Sequence, residues 1–178
     1  TTMSNNDRAR IRARLDEARQ ELLDVLGKIT PDTEVKSTEN PAWTVHDIAA
    51  HVALSERGLQ ATIQRFLEGV ELPADFSLDV WNERQVKKAQ ARTLADMIAG
   101  LTASRQHTLE LLDSLTDEQM AVEGMHPAGF RTTVAGVFKV MAYHERLHGA
   151  EIARALGLPA PHIPAWPGVG MSSMKESE

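Results

Sequence analysis

Cysteine is absent from the 178 residues. Disulfides, a cysteine nucleophile and thiolate metal ligands are therefore excluded, and the chain suits a reducing cytoplasm. Aromatic residues make up only 4%, so Leu, Ile, Val, Ala and Met must fill any interior. No run approaches the roughly 18 apolar residues that read as a bilayer span, and residues 1–10 lack the apolar centre of a signal peptide. Basic residues are in deficit, 19 Lys and Arg against 25 Asp and Glu, for a formal charge of −6. The basic stripe of a nucleic-acid binder is missing. These absences predict a soluble cytoplasmic protein that engages neither a membrane nor nucleic acid. Stretches that alternate apolar and polar residues with β-branched enrichment are missing too, so no strand is expected.

What is present is helical periodicity. Ile11, Leu15, Ala18, Leu22, Leu26 and Ile29 recur at three- and four-residue steps, predicting an amphipathic helix from the region of Ser4–Asp7 to Ile29. Thr30-Pro31 should end it, and residues 32–42 read as a loop. A second helix opens at Thr44, with Asp47 three residues on as a capping partner. It carries Ile48, Val52, Leu59, Ile63 and Phe66 and closes at Gly69. A short segment spans residues 78–89. The third long helix opens at Thr93 with Asp96 and continues to Leu115. Residues 121–131 read as a loop, and the fourth helix runs from Thr132 to Gly157. Four long amphipathic helices predict an all-α four-helix bundle over residues 1–157, with its longer crossover between the second and third. Residues 158–178, with Pro159, Pro161, Pro164 and Pro167, are expected as an extended tail, and Met171–Glu178 as unstructured or crossing to a neighbouring chain.

The histidines carry the chemistry. His144 and His148 stand four apart on the fourth helix, about 40° from each other on the wheel. Val134, Val137, Met141 and Ile152 point the same way, so both imidazoles face inward. On the second helix His51 lies at the edge of the buried stripe, whereas His46 should face water. His107 falls on the polar side of the third helix, and His162 and Trp166 sit in the tail. A catalytic zinc-type site takes about three protein ligands and leaves one position open. Bundle metal sites are built from inward side chains on facing helices. His51, His144 and His148 are thus the candidate ligands, and imidazoles alone do not choose among zinc, nickel and iron. Residues 144–148 also match His-Glu-x-x-His, the zinc-protease signature in which the Glu is the general base. A helical chain with this motif near its end leaves little room for a protease cleft. Glu145 is either a partner of the metal site, behind its ligands or as a proton acceptor, or a solvated surface residue.

Residues 43–52, Trp-Thr-Val-His-Asp-Ile-Ala-Ala-His-Val, and residues 143–152, Tyr-His-Glu-Arg-Leu-His-Gly-Ala-Glu-Ile, followed by Leu156-Gly157-Leu158-Pro159, resemble the DinB-like superfamily in order and separation. Asn82 and Ser104-Arg105 are weaker matches. The resemblance implies an up-down-down-up bundle, a divalent metal, zinc or nickel, on His51, His144 and His148, and frequent homodimers. It also implies a small-molecule substrate and a thiol cofactor such as mycothiol, bacillithiol or glutathione, activated at the metal. That chemistry suits a chain without cysteine, since the sulfur arrives with the cofactor. Where the mycothiol-dependent maleylpyruvate isomerase branch has a Glu ligand, this chain has His144. Arg57, Arg84 and Arg105 are candidates for a substrate carboxylate. A metal-dependent hydrolase and a non-catalytic bundle with a structural metal are the competing expectations.

Overall fold

Helix starts in this chain are written in Thr-x-x-polar motifs. The computed structural model describes residues 5–166. In chain order come α1 (Asn5–Leu26), α2 (Pro31–Glu34), α3 (Val45–Glu68), α4 (Leu78–Lys88), α5 (Leu94–Ser114), α6 (Asp117–Met120), β1 (Glu123–Met125), β2 (Arg131–Thr133) and α7 (Val134–Ala155). Thr44 accepts from the Asp47 N–H while the Asp47 carboxylate accepts from Thr44 N–H. The same reciprocal box opens α5 with Thr93 and Asp96 and α6 with Thr116 and Gln119. Each box satisfies backbone donors that a helix start otherwise leaves unpaired. At its far end α3 stops at Gly69, whose φ of 65° gives the left-handed C-cap that glycine adopts without steric cost.

The long helices α1, α3, α5 and α7 form the four-helix bundle that the periodicity predicts. Ile11, Leu15, Leu59, Ile63, Phe66, Leu112, Val137 and Phe138 pack in one core cluster. Leu22, Leu26, Ile48, Val52, Met97, Leu101 and Ile152 pack in a second. Polar contacts tie the helices laterally. Arg8 of α1 donates to Leu112 O at 2.7 Å and to Asp117 at 2.9 Å. Gln60 of α3 donates to Ser104 O and to the Thr108 hydroxyl, both at 2.9 Å. Arg146 of α7 reaches Glu21 of α1 at 3.1 Å.

Three local expectations are corrected. Helix α1 ends at Leu26 rather than Ile29, and Thr30-Pro31 starts the single turn α2 instead of a plain loop. Proline fits the first helical position because its missing N–H would have been unpaired there anyway. Residues 123–133, expected as loop up to 131 and as helix from Thr132, form an antiparallel hairpin, with Glu123 opposite Thr133 and Met125 opposite Arg131. Strands of three residues are too short to leave an alternating pattern. Gly124 lets the hairpin lie flat on α3, since a Cβ there would collide with the Phe66 ring.

Residues 158–166 carry neither helix nor strand, and Met171–Glu178 lie outside the described residues. Among the described residues no helix is long and apolar enough to cross a membrane.

Candidate metal centre

Helices α3 and α7 bring His51, His144 and His148 together. The Nε2 atom of His144 lies 3.0 Å from Nε2 of His51 and 3.0 Å from Nε2 of His148. One nitrogen from each imidazole falls within 4.8 Å of the other two. The rings meet edge to face, with centroids 4.9, 4.7 and 4.3 Å apart. Trp43, just before the α3 cap, packs on the His51 ring at 4.9 Å. Nδ1 of His148 faces the Glu151 carboxylate at 2.8 Å, which fixes the proton on Nδ1 and leaves Nε2 its lone pair.

Three nitrogens so arranged cannot all be satisfied by protons. If His144 Nε2 carries a hydrogen, that one hydrogen must serve two acceptors. If it carries a lone pair, it faces the lone pair of His148. A cation removes the conflict, and three neutral imidazoles with one open position match the donor set of a catalytic zinc-type site. At metal–nitrogen distances of about 2.0–2.1 Å a tetrahedral ion separates its ligand nitrogens by roughly 3.3 Å, close to the two spacings about His144. Electrostatics agree with neutral rings. Burial, with a contribution from His148, lowers the pKa of His51 from 6.5 to about 3. Burial, with the neighbouring histidines, holds His144 well below the usual imidazole range.

Glu145 is corrected on one point. It is buried, not solvated, and its carboxylate turns into the bundle. Arg19 Nη2 reaches Glu145 Oε1 at 2.6 Å and Glu56 Oε2 at 2.6 Å. Arg105 Nη2 reaches Glu145 Oε1 at 2.6 Å, and Arg105 Nε reaches Glu56 Oε1 at 2.8 Å. Thr108 adds a hydroxyl to Glu56 at 2.7 Å. Each of α1, α3, α5 and α7 thus contributes one charge to a buried quartet of two guanidiniums and two carboxylates. Glu56, Glu145 and His144 line one small void too tight for a water molecule, with Val52, Leu59 and Met141. Burial raises the pKa of Glu145 and outweighs the two arginines. At Glu56 burial pushes up, yet Arg105 and Arg19 together hold the carboxyl below its ordinary value.

The other candidates separate. Arg105 is consumed by the quartet, while Arg57 and Arg84 are exposed and Asn82 is half-buried. His46 does not face water freely: its Nε2 lies 3.0 Å from Arg92 O and its side chain is mostly covered. Exposed His107 lies within 4.0 Å of Glu110. His162 is exposed. Trp166 folds back on α7, its backbone N–H donating to the Tyr143 hydroxyl at 3.0 Å and its ring 5.3 Å from that of Tyr143. The quartet itself escaped the sequence reading, although all four residues lie on apolar stripes.

The family model described as the DinB superfamily matches residues 8–152. Among solved structures, YfiT from Bacillus subtilis, described as a probable metal-dependent hydrolase with an unusual four-helix bundle topology, is similar with a TM-score of 0.69 and 20% identity, over 89% of this chain and 92% of that one. The mycothiol-dependent maleylpyruvate isomerase is similar with a TM-score of 0.67 and 15% identity, over 86% of this chain but only 64% of that one. An uncharacterised protein from Escherichia coli UTI89 gives a TM-score of 0.67 at 12% identity, over 85% of this chain and 95% of that one. No curated protein matches.

Proposed function

This chain belongs to the DinB superfamily, and on that premise we propose that His51, His144 and His148 hold a divalent metal ion, zinc or nickel, in a small-molecule enzyme that uses a low-molecular-weight thiol. The observation that carries the reading is the convergence of the three Nε2 atoms at 3.0 Å contacts. When bound, such an ion supplies Lewis acidity, which polarises a carbonyl and draws a thiol toward its thiolate. The chain's own part is to present three uncharged ligands, so that the positive charge of the ion stays available to an anionic partner. Glu151 orients His148, and Trp43 walls the His51 side.

Glu145 positions α7 in this scheme. Its carboxylate is engaged by Arg19 and Arg105, and a base needs free lone pairs directed at its proton. This supports thiol use over a Glu-assisted hydrolysis, and a chain without cysteine is consistent with a sulfur that arrives with the cofactor. The fold likeness to a mycothiol-dependent isomerase lends the same support. A metal-dependent hydrolase is the second reading, favoured by the likeness to YfiT. The lateral contacts support the up-down-down-up order: Arg8 near the start of α1 meets the end of α5, whereas Glu21 of α1 meets Arg146 of α7 in parallel advance.

Cobalt-loaded protein titrated with mycothiol, bacillithiol and glutathione provides the test. The thiol reading expects a sulfur-to-metal absorption band with at least one of them. A cobalt site that responds to none, in a protein that cleaves model esters or amides, overturns it in favour of the hydrolase.

A further inference from the structure

Among the described residues one buried side-chain polar atom lacks a hydrogen-bond partner, Nε2 of His126. The residue is 6% exposed and the hairpin holds it firmly. Its backbone N–H donates to Phe130 O at 2.8 Å, and its carbonyl accepts from Gly129 N–H at 2.9 Å. Its ring stacks on Phe130, centroids 4.5 Å apart and planes 15° from parallel. Nδ1 accepts from the Ala128 N–H at 3.0 Å. A ring nitrogen that accepts carries a lone pair, so the neutral imidazole bears its proton on Nε2. Burial, with Arg65 nearby, keeps the ring neutral by lowering its pKa to about 4. The orphan is therefore an N–H donor. A metal ligand would need the lone pair on Nε2 and the proton on Nδ1, where Ala128 N–H already points, so His126 is not a fourth ligand.

An unpaired donor in the interior costs free energy, and its neighbour Arg65 indicates what would satisfy it. The Arg65 guanidinium donates to Val70 O at 3.2 Å and to Met125 O at 2.7 Å. Both acceptors are uncharged carbonyls, and among the described residues no carboxylate stands within ion-pair distance of Arg65. A positive field beside a free N–H donor favours an anionic oxygen.

We infer that His126, beside Arg65, is a carboxylate-binding site, donating Nε2–H to a carboxylate of a small-molecule ligand. Nε2 has no solvent surface, so the carboxylate enters as the β1–β2 hairpin gives way and is enclosed once bound. Sequence alone nominated Arg57, Arg84 and Arg105 for this role, and each is exposed or already paired.

The full chain, labelled with ¹⁵N-histidine and with its zinc content measured, is titrated with acetate while the His126 Nε2–H resonance is followed. The expected result is a resonance visible without acetate that moves downfield and saturates. His126→Asn keeps an acceptor for Ala128 N–H but lacks the distal donor, and should weaken acetate at least tenfold. His126→Gln, which restores a donor near that position, should recover most of the affinity. A resonance that acetate leaves unmoved overturns the inference, as does a His126→Asn variant that binds like the parent. A resonance already hydrogen-bonded before acetate identifies a trapped water as the partner and overturns it too. The parent titration decides the matter if either variant fails to fold. Acetate binding in a chain that takes no zinc sinks the metal reading and sustains this one; zinc without acetate binding does the reverse.

Discussion

Arg19 Nη2 donates to Glu145 Oε1 at 2.6 Å inside the bundle, across 126 positions of sequence. The same nitrogen reaches Glu56 at 2.6 Å, so one guanidinium on α1 joins the two helices that carry the histidines. Removing one partner of a buried ion pair leaves an uncompensated charge and costs about 3–5 kcal/mol. Glu145→Ala should lose stability on that scale in urea denaturation, and Glu145→Gln less because an acceptor oxygen remains. A loss under about 1 kcal/mol, the scale of an exposed pair, would contradict the buried quartet.

Glu151 touches the site through His148. Its carboxylate, 2.8 Å from Nδ1, holds the ring in the tautomer that leaves Nε2 free. Outer partners of this kind are worth about 10–100-fold in metal affinity. Glu151→Gln should lower zinc affinity by that factor in a chelator competition while leaving the fold intact. An unchanged affinity would mean that helix packing alone orients His148.

Acid should weaken the metal-free protein. His51 at about 3 and His126 at about 4 have folded pKa values below the ordinary imidazole value of 6.5, and His144 is shifted the same way. A depressed value means that the unfolded chain takes up the protons first. The stability is therefore complete above pH 6.5 and drains as the pH falls toward the folded values. Each such histidine contributes a slope of up to about 1.4 kcal/mol per pH unit. Urea midpoints at pH 7 and pH 5 should differ clearly, the lower pH being the less stable. Equal midpoints would contradict neutral, buried imidazoles.

Helical spacing alone made the four long helices and the inward direction of His144 and His148 legible, because a period of 3.6 residues fixes which side chains share a face. The quartet was legible in principle and overlooked. Arg19 follows Leu15 by four, Glu56 follows Val52, Arg105 follows Leu101 and Glu145 follows Met141. Each is a charged residue on an apolar stripe, and one positive or negative charge per helix sums to zero. Only the assembled bundle says that they meet. The hairpin left no trace because a three-residue strand has no period to read. His126 was passed over with it, since its orphaned N–H is a property of the turn's geometry.

The three imidazoles should hold one metal ion per chain. Elemental analysis of the purified chain, alongside His51→Ala and His144→Ala, tests it directly. Close to one equivalent of a divalent metal is expected in the parent chain and near none in either folded variant. A parent chain free of metal after exposure to zinc and nickel, or variants that retain a full equivalent, would contradict it.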